Sequence, residues 1–145
     1  MCSSDLNTMN SSSSATSLAG RLLISPIFLF SGFTKIAMYS NIVGFAAAKG
    51  MPMPGIAIAL AAAIEILGGL AVLIGFQARP AAWLLFLYLI PATLVFHNFW
   101  AASGAEHDAQ MMNFVKNVTI MGGLLILAAN GAGRYSVDGA RAAKS

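Results

Sequence analysis

Residues 56–76 read IAIALAAAIEILGGLAVLIGF, an apolar run with a single charged side chain, Glu65, near its middle. At ~1.5 Å of rise per residue, about twenty residues cross the roughly 30 Å hydrocarbon layer of a bilayer. This run is long enough to span. A charge at that depth costs about 2.5–3.5 kcal/mol on insertion scales. The cost calls for a partner cation, a proton or a ligand. The rest of the chain reads as three further helices arranged around this acid.

Composition agrees. Hydrophobic residues make up 58% of the chain and charged residues 9%, against about 25% charged in an ordinary soluble domain. The apolar residues fall into four long blocks, too much for a soluble core of this size to bury. The expected fold is all-α: a polytopic membrane protein built as an up-down bundle of four transmembrane helices. The net charge of +3 is small and sits mostly near block ends. It reads as a topology signal and not as a nucleic-acid footprint, so no nucleic-acid partner is expected. Cys2 is the only cysteine. That excludes an internal disulfide, CxxC redox chemistry and a multi-cysteine metal site. Only Met1 precedes Cys2, so a lipoprotein anchor is not expected either.

Residues 1–17 are Ser-rich and polar; a disordered tail is expected there. The first apolar block, residues 18–38, contains Pro26 and no small-x-small cleavage pattern follows it, so a retained helix is expected and not a signal peptide. Ser25 is expected to help re-satisfy the backbone that Pro26 disturbs. Arg21, Ser25, Phe28, Gly32 and Lys35 are spaced four, three, four, three, which puts two cations and two small residues on one face. The cations either snorkel from the two helix ends or face the bundle. Residues 49–55, KGMPMPG, are breakers, preceded by a short interfacial helix over 41–49. In the second span Ala61, Ala62, Gly68, Gly69 and Val72 share the face of Glu65. Small residues admit a neighbouring helix, so the carboxylate should face protein.

A tight turn at 77–80 leads to the third span, residues 81–100, with Pro91 as an expected kink and Trp83, Tyr88, Phe96, Phe99 and Trp100 as aromatics of an interfacial belt. Thr93, His97 and Trp100 share a face of it. Residues 101–111, with Glu106, His107 and Asp108, read as a polar loop without enough ligands for a metal site. The fourth span, residues 112–130, carries Asn113, Lys116 and Asn117 on one face. The membrane domain is thus expected over 18–134, with a basic surface tail at 135–145.

Alternation of four spans puts Arg21, Arg79, Arg134, Arg141 and Lys144 at one end and Lys35, Lys49 and Lys116 at the other. The excess of cations at the first end predicts that both termini are cytoplasmic. The same alternation gathers a polar pocket in the outer half: Ser31, Lys35, Glu65, His97, Asn98, Lys116 and Asn117, with Trp100 and Asn113 beside them. Glu65 pairs with Lys35 or Lys116; the alternation leaves either open. Glu65 is equally readable as a protonated structural acid, and His97 as a satisfied polar contact. One intramembrane histidine does not supply the facing pair that haem b takes. HExxH, Walker and GxSxG patterns are absent. The cluster could hydrogen-bond the carbonyls of a quinone-like ring: His97 donating or shuttling a proton, Lys35 or Lys116 stabilising an oxyanion, Glu65 relaying.

Read in order, GRLLISPIFLFSGFTKI from Gly20, the Gly50-Met51-Pro52 turn, EILGGL from Glu65, GFQARPAA from Gly75, FHNFW from Phe96, NFVKN from Asn113 and GAGRYSVD from Gly131 resemble the DoxX family of small bacterial membrane proteins. The resemblance covers nearly everything after the Ser-rich tail. It implies a four-helix inner-membrane protein. Family members have been linked to a thiosulfate:quinone oxidoreductase, to resistance to catechols and quinones, and to oxidative-stress membrane complexes. The resemblance supplies no catalytic residues; Glu65, His97, Lys35 and Lys116 as catalytic candidates, and Ser31, Asn98, Trp100, Asn113 and Asn117 as ligand contacts, rest on the helix-face argument. The leading expectation is a membrane subunit of an oxidoreductase system acting on or near quinones or small electrophiles, with a soluble or membrane partner and homo-oligomerisation as options. The alternatives are a small-metabolite or proton carrier, and a non-catalytic assembly module.

Overall fold

The computed structural model describes residues 3–144, with side chains from residue 12 onward. Cys2 lies outside the described residues. The order is α1 (Ser3–Ala37), α2 (Tyr39–Ala48), α3 (Pro54–Ile74), α4 (Ala78–Phe96), a 3₁₀ turn (Phe99–Ala101), α5 (Gly104–Asn130) and α6 (Val137–Ala142). Among the described residues four helices are long and apolar enough to cross a membrane, within α1, α3, α4 and α5. The up-down bundle read from the apolar blocks is the observed architecture, and the expected interfacial helix is α2.

Helix α1 packs against α3, α3 against α4, and α4 against α5, while α5 and α1 barely touch. The α1–α5 side of the bundle is thus the loosest, closed at one level where Ile24 of α1 lies against Gly123 of α5. Its dry centre holds Phe28, Val72, Leu85, Leu89 and Leu124, with Ala81, Ala82 and Ala128. Large apolar side chains such as Leu23, Phe33, Leu67 and Ile126 point outward, as they should where the solvent is lipid. The small residues on the Glu65 face do the work expected of them. Gly69 meets Phe28 and Leu29 of α1, and Gly68 meets Leu85 of α4. Gly32 of α1 lies against Ala62, Glu65 and Ile66, so close that a Cβ there would collide.

The ends of α3 are set by local chemistry. Pro54 occupies the first turn, where its missing N–H costs nothing. Gly75 adopts φ 69°, and Phe76 N–H donates to Ala71 O at 2.9 Å while Gly75 N–H donates to Val72 O at 3.2 Å. That is a Schellman closure, which favours glycine at the left-handed position. Arg21 completes it. The side chain is 1% exposed, and it donates to Leu73 O at 2.8 Å and to Tyr135 O at 2.5 Å. Of the two readings for Arg21, snorkelling is overturned: the guanidinium turns inward onto the carbonyl end of α3, where the helix dipole favours a cation.

Four boundaries differ from the sequence reading. The Ser-rich segment expected as a disordered tail to residue 17 is helical from Ser3. Its last turns are tied down: Arg134 N–H donates to Ser14 Oγ at 3.2 Å, and Ser17 Oγ donates to Gly131 O at 3.3 Å. The expected surface tail at 135–145 contains α6, which docks on the α3–α4 turn. Gln77 and Ala78 N–H donate to the Asp138 carboxylate at 2.8 and 2.9 Å, and Asp138 N–H donates to Gly75 O at 2.9 Å. The expected loop at 101–111 is helical from Gly104, because Ala105, Glu106, Ala109, Gln110 and Met111 are good helix formers and Glu106 suits a first turn. The third span stops at Phe96 and not at residue 100, since His97 leaves helical geometry at ψ 42°. Ser25 Oγ donates to Arg21 O at 2.6 Å, one residue short of the Leu22 carbonyl that faces Pro26 in an unbroken helix.

Candidate functional site

The close α1–α3 approach at Gly32 puts Ser31 and Lys35, one turn apart, on either side of Glu65. Lys35 Nζ lies 3.0 Å from Glu65 Oε1 and 2.9 Å from Oε2, and 2.8 Å from Ser31 Oγ. Ser31 Oγ donates to Oε1 at 3.1 Å, and Tyr88 OH, from α4, donates to the same oxygen at 2.8 Å. Glu65 is 4% exposed. Three helices thus contribute to one ion pair, and every ammonium proton and both carboxylate oxygens have partners. Full satisfaction is what makes a charge tolerable in an apolar bundle.

This knot forms one wall of a cavity of about 440 Å³. The remaining walls carry His97 of the α4 terminus, Gln110, Asn113, Lys116 and Asn117 of α5, and the rings of Phe28, Phe30, Phe45 and Phe96. His97 Nδ1 is 2.9 Å from Gln110 Oε1, a contact in which a protonated Nδ1 donates to the amide oxygen. Lys116 Nζ donates to Asn113 Oδ1 at 3.0 Å, one turn earlier on the same helix. Asn117 Nδ2 donates to Thr93 Oγ1 at 3.0 Å, which pins α5 to α4 at this level. Beyond the floor formed by Phe28, Leu89 and Ile120 comes the packed layer of Val72, Leu85 and Leu124, each under 1% exposed.

Of the residues singled out from sequence, Ser31, Lys35, Glu65, His97, Asn113, Lys116 and Asn117 all line this cavity. The partner of Glu65 is Lys35; Lys116 instead bonds Asn113. Asn98 and Trp100 do not line the cavity. Asn98 accepts from Lys49 Nζ at 2.8 Å. Trp100 is 58% exposed and packs edge-on against Phe99 and Phe114.

Three polar residues of the lining, Thr34, Tyr88 and Gln110, lie outside the pocket read from sequence. From sequence, Tyr88 reads as an aromatic of the interfacial belt. It lies eight residues before the end of α4, ~12 Å by helix rise. That is too deep for the belt and level with a buried acid, and depth is the signal that would have found it. Gln110 was hidden by reading its segment as a loop. No group of three or more His, Cys, Asp and Glu side chains that could hold a metal occurs among the described residues.

Comparison with known proteins places this geometry in a family. The DoxX family profile matches residues 16–98, from α1 through the His97 turn. The chain is 34% identical over 121 residues to the inner membrane protein YphA of Escherichia coli (strain K12), covering 83% of this chain and 86% of that one. It is equally 34% identical over 121 residues to the inner membrane protein YqjF of the same organism, covering 83% and 88%. The ER-derived vesicles protein ERV29 of Saccharomyces cerevisiae is 27% identical over 135 residues, which are 92% of this chain and 36% of that protein. No solved structure matches the chain. A family profile over more than half the length, relatives aligned almost end to end, and four apolar helices of spanning length agree: this chain is a membrane protein that belongs to the DoxX family.

Proposed function

We propose that this protein is an inner-membrane subunit of an oxidoreductase system, and that its cavity binds quinones or related small electrophiles. The observation that carries the reading is a cavity of about 440 Å³ at one end of an apolar bundle, walled by an ion pair, a histidine and a second lysine. Ionisable groups at membrane depth face a cavity or one another, and here they do both. The residues fit a quinone-like ring: aromatic walls at Phe28, Phe45 and Phe96 for its faces, with His97, Lys116 and Asn113 as polar groups for its carbonyl oxygens.

The chain's own side chains divide the work. Lys116 stabilises negative charge developing on a carbonyl oxygen, and His97 supplies or accepts a proton. Glu65 holds Lys35, Ser31 and Tyr88 in one geometry and so sets the shape and charge of the wall; its oxygens are already occupied by these donors. Electrons come from a partner oxidoreductase protein. The excess of cations at the end bearing both termini supports cytoplasmic termini and a cavity in the outer half. The inner-membrane names of the two E. coli relatives support the location. A carrier would need a path past Val72, Leu85 and Leu124, and that layer is packed.

The test is extraction in mild detergent, followed by mass analysis of bound small molecules and equilibrium dialysis against a short-chain quinone. The expected result is quinone retained by the native protein and lost from His97→Ala. Native protein that neither retains nor binds any quinone overturns the reading.

A further inference from the structure

Charge on the cavity wall does not balance. Lys35 and Glu65 cancel each other at 2.9 Å. Lys116 remains, and it donates to the neutral amide oxygen of Asn113. Lys49, outside the lining, likewise has a neutral partner: it donates to Asn98 Oδ1 and lies 5.3 Å from the Phe45 ring centre. Among the described residues the ion pairs are Lys35 with Glu65 and His107 with Asp108, so no carboxylate pairs with Lys116. The Asn117–Thr93 bond fixes its level, about one turn below the end of α4. Lys116 is exposed, and its side chain faces this open cavity at that level, so an anion entering the cavity meets its ammonium.

The route is equally legible. Helices α1 and α5 meet at Ile24 and Gly123, and away from that contact the cavity lies between them, with Ile27 and Phe30 on one side and Lys116 and Ile120 on the other. Phe30 is 73% exposed, so the seam opens at the lipid-facing surface of the molecule. A ligand coming this way must partition into the bilayer. We infer that the cavity takes an amphiphilic aromatic acid, which enters from the bilayer between α1 and α5 and sets its negative group on Lys116. This deepens the proposed function by naming the charge of the ligand, and it rests on that reading only in taking this cavity as the binding site. A volume of about 440 Å³ suits a ring system and not a two-tailed lipid.

Three probes separate charge from ring chemistry, each measured by equilibrium dialysis against the full chain in phosphatidylcholine nanodiscs. They are 2-hydroxy-1,4-naphthoquinone, which is ionised at neutral pH, neutral 1,4-naphthoquinone, and 2-naphthoate, an anion without quinone chemistry. The expected result is that the two anions bind at least about tenfold tighter than the neutral quinone, a difference of about 1.4 kcal/mol. Lys116→Met should reduce that preference to within about threefold, and Lys116→Arg should keep it, both with melting temperatures near native. Equal affinities for all three probes, or a preference that survives Lys116→Met, overturn the inference and leave the quinone reading standing. Naphthoate binding that depends on Lys116, with no binding of either quinone, supports the inference and removes the quinone reading. Repeating the dialysis with phosphatidylglycerol in the nanodisc should leave the affinities unchanged; displacement by that lipid assigns Lys116 to a phosphate headgroup and overturns the aromatic acid.

Discussion

Lys35 reaches from α1 to α3 and sets its ammonium 2.9 Å from Oε2 and 3.0 Å from Oε1 of Glu65, while Tyr88 of α4 donates to Oε1 at 2.8 Å. The pair is well enclosed, with side-chain exposures of 15% and 5%. Truncating one member of a buried pair leaves the other uncompensated, at about 3–5 kcal/mol. Lys35 is 15% exposed and can swing outward when its partner is lost, so Glu65→Leu and Lys35→Met should each cost about 2–4 kcal/mol. The double variant should recover at least about half of the summed loss, because no lone charge remains. Thermal unfolding in detergent, read as a double-mutant cycle, measures it. Strictly additive losses would mean that the two side chains do not interact.

Tyr88→Phe tests the third strand of the knot. It removes one hydrogen bond to a charged acceptor, about 1.5–3 kcal/mol, and leaves the ring in place. The loss should vanish in a Glu65→Leu background, where the hydroxyl has no carboxylate to serve. A full loss in that background would assign the hydroxyl another partner.

The bundle and the pocket were legible in sequence for different reasons. Four apolar blocks and the small-residue face around Glu65 give spans and packing directly, since bilayer thickness fixes length and close approach demands glycine and alanine. The choice of Lys35 over Lys116 was not legible. Both lysines sit at the same end, and only the collision-tight approach of α1 at Gly32 brings one of them to the acid. The polar ends misled more. Ser14, Ser17 and Asp138 look solvated one at a time, yet they bond backbone groups more than sixty positions away in two cases and sixty in the third. Local composition carries no trace of such partners. Reading Arg21 as a snorkelling side chain failed for the same reason: its carbonyl partners at Leu73 and Tyr135 belong to other segments.

That terminal clamp makes its own prediction. Arg21→Met removes the part-buried hydrogen bonds to the Leu73 and Tyr135 carbonyls, at about 1–3 kcal/mol for each. Lysine can serve one of them but not both, lacking the planar fork. Susceptibility of residues 135–144 to limited proteolysis should therefore rise in the order native, Arg21→Lys, Arg21→Met. Asp138→Ala should raise it too, through loss of the cap on α4, worth about 0.5–2 kcal/mol. Equal protection in all four proteins would show that α6 does not depend on these contacts.

The N-terminal and C-terminal segments meet at one end of the bundle, where Ser17 Oγ donates to Gly131 O and Arg134 N–H donates to Ser14 Oγ. Whatever the orientation, both ends must therefore lie on the same side of the membrane. The cations Arg79, Arg134, Arg141 and Lys144 at that end are the basis on which cytoplasmic termini are proposed, and labelling tests it. In a Cys2→Ser background, a cysteine at Lys144 should resist a membrane-impermeant maleimide in intact cells and react after lysis. A cysteine at Ser103, in the connection before α5 at the opposite end, should react in intact cells. Reversal of both results would invert the orientation and put the cavity in the cytoplasmic half, leaving the fold untouched. Labelling of both positions from the same side would contradict the four-span fold itself.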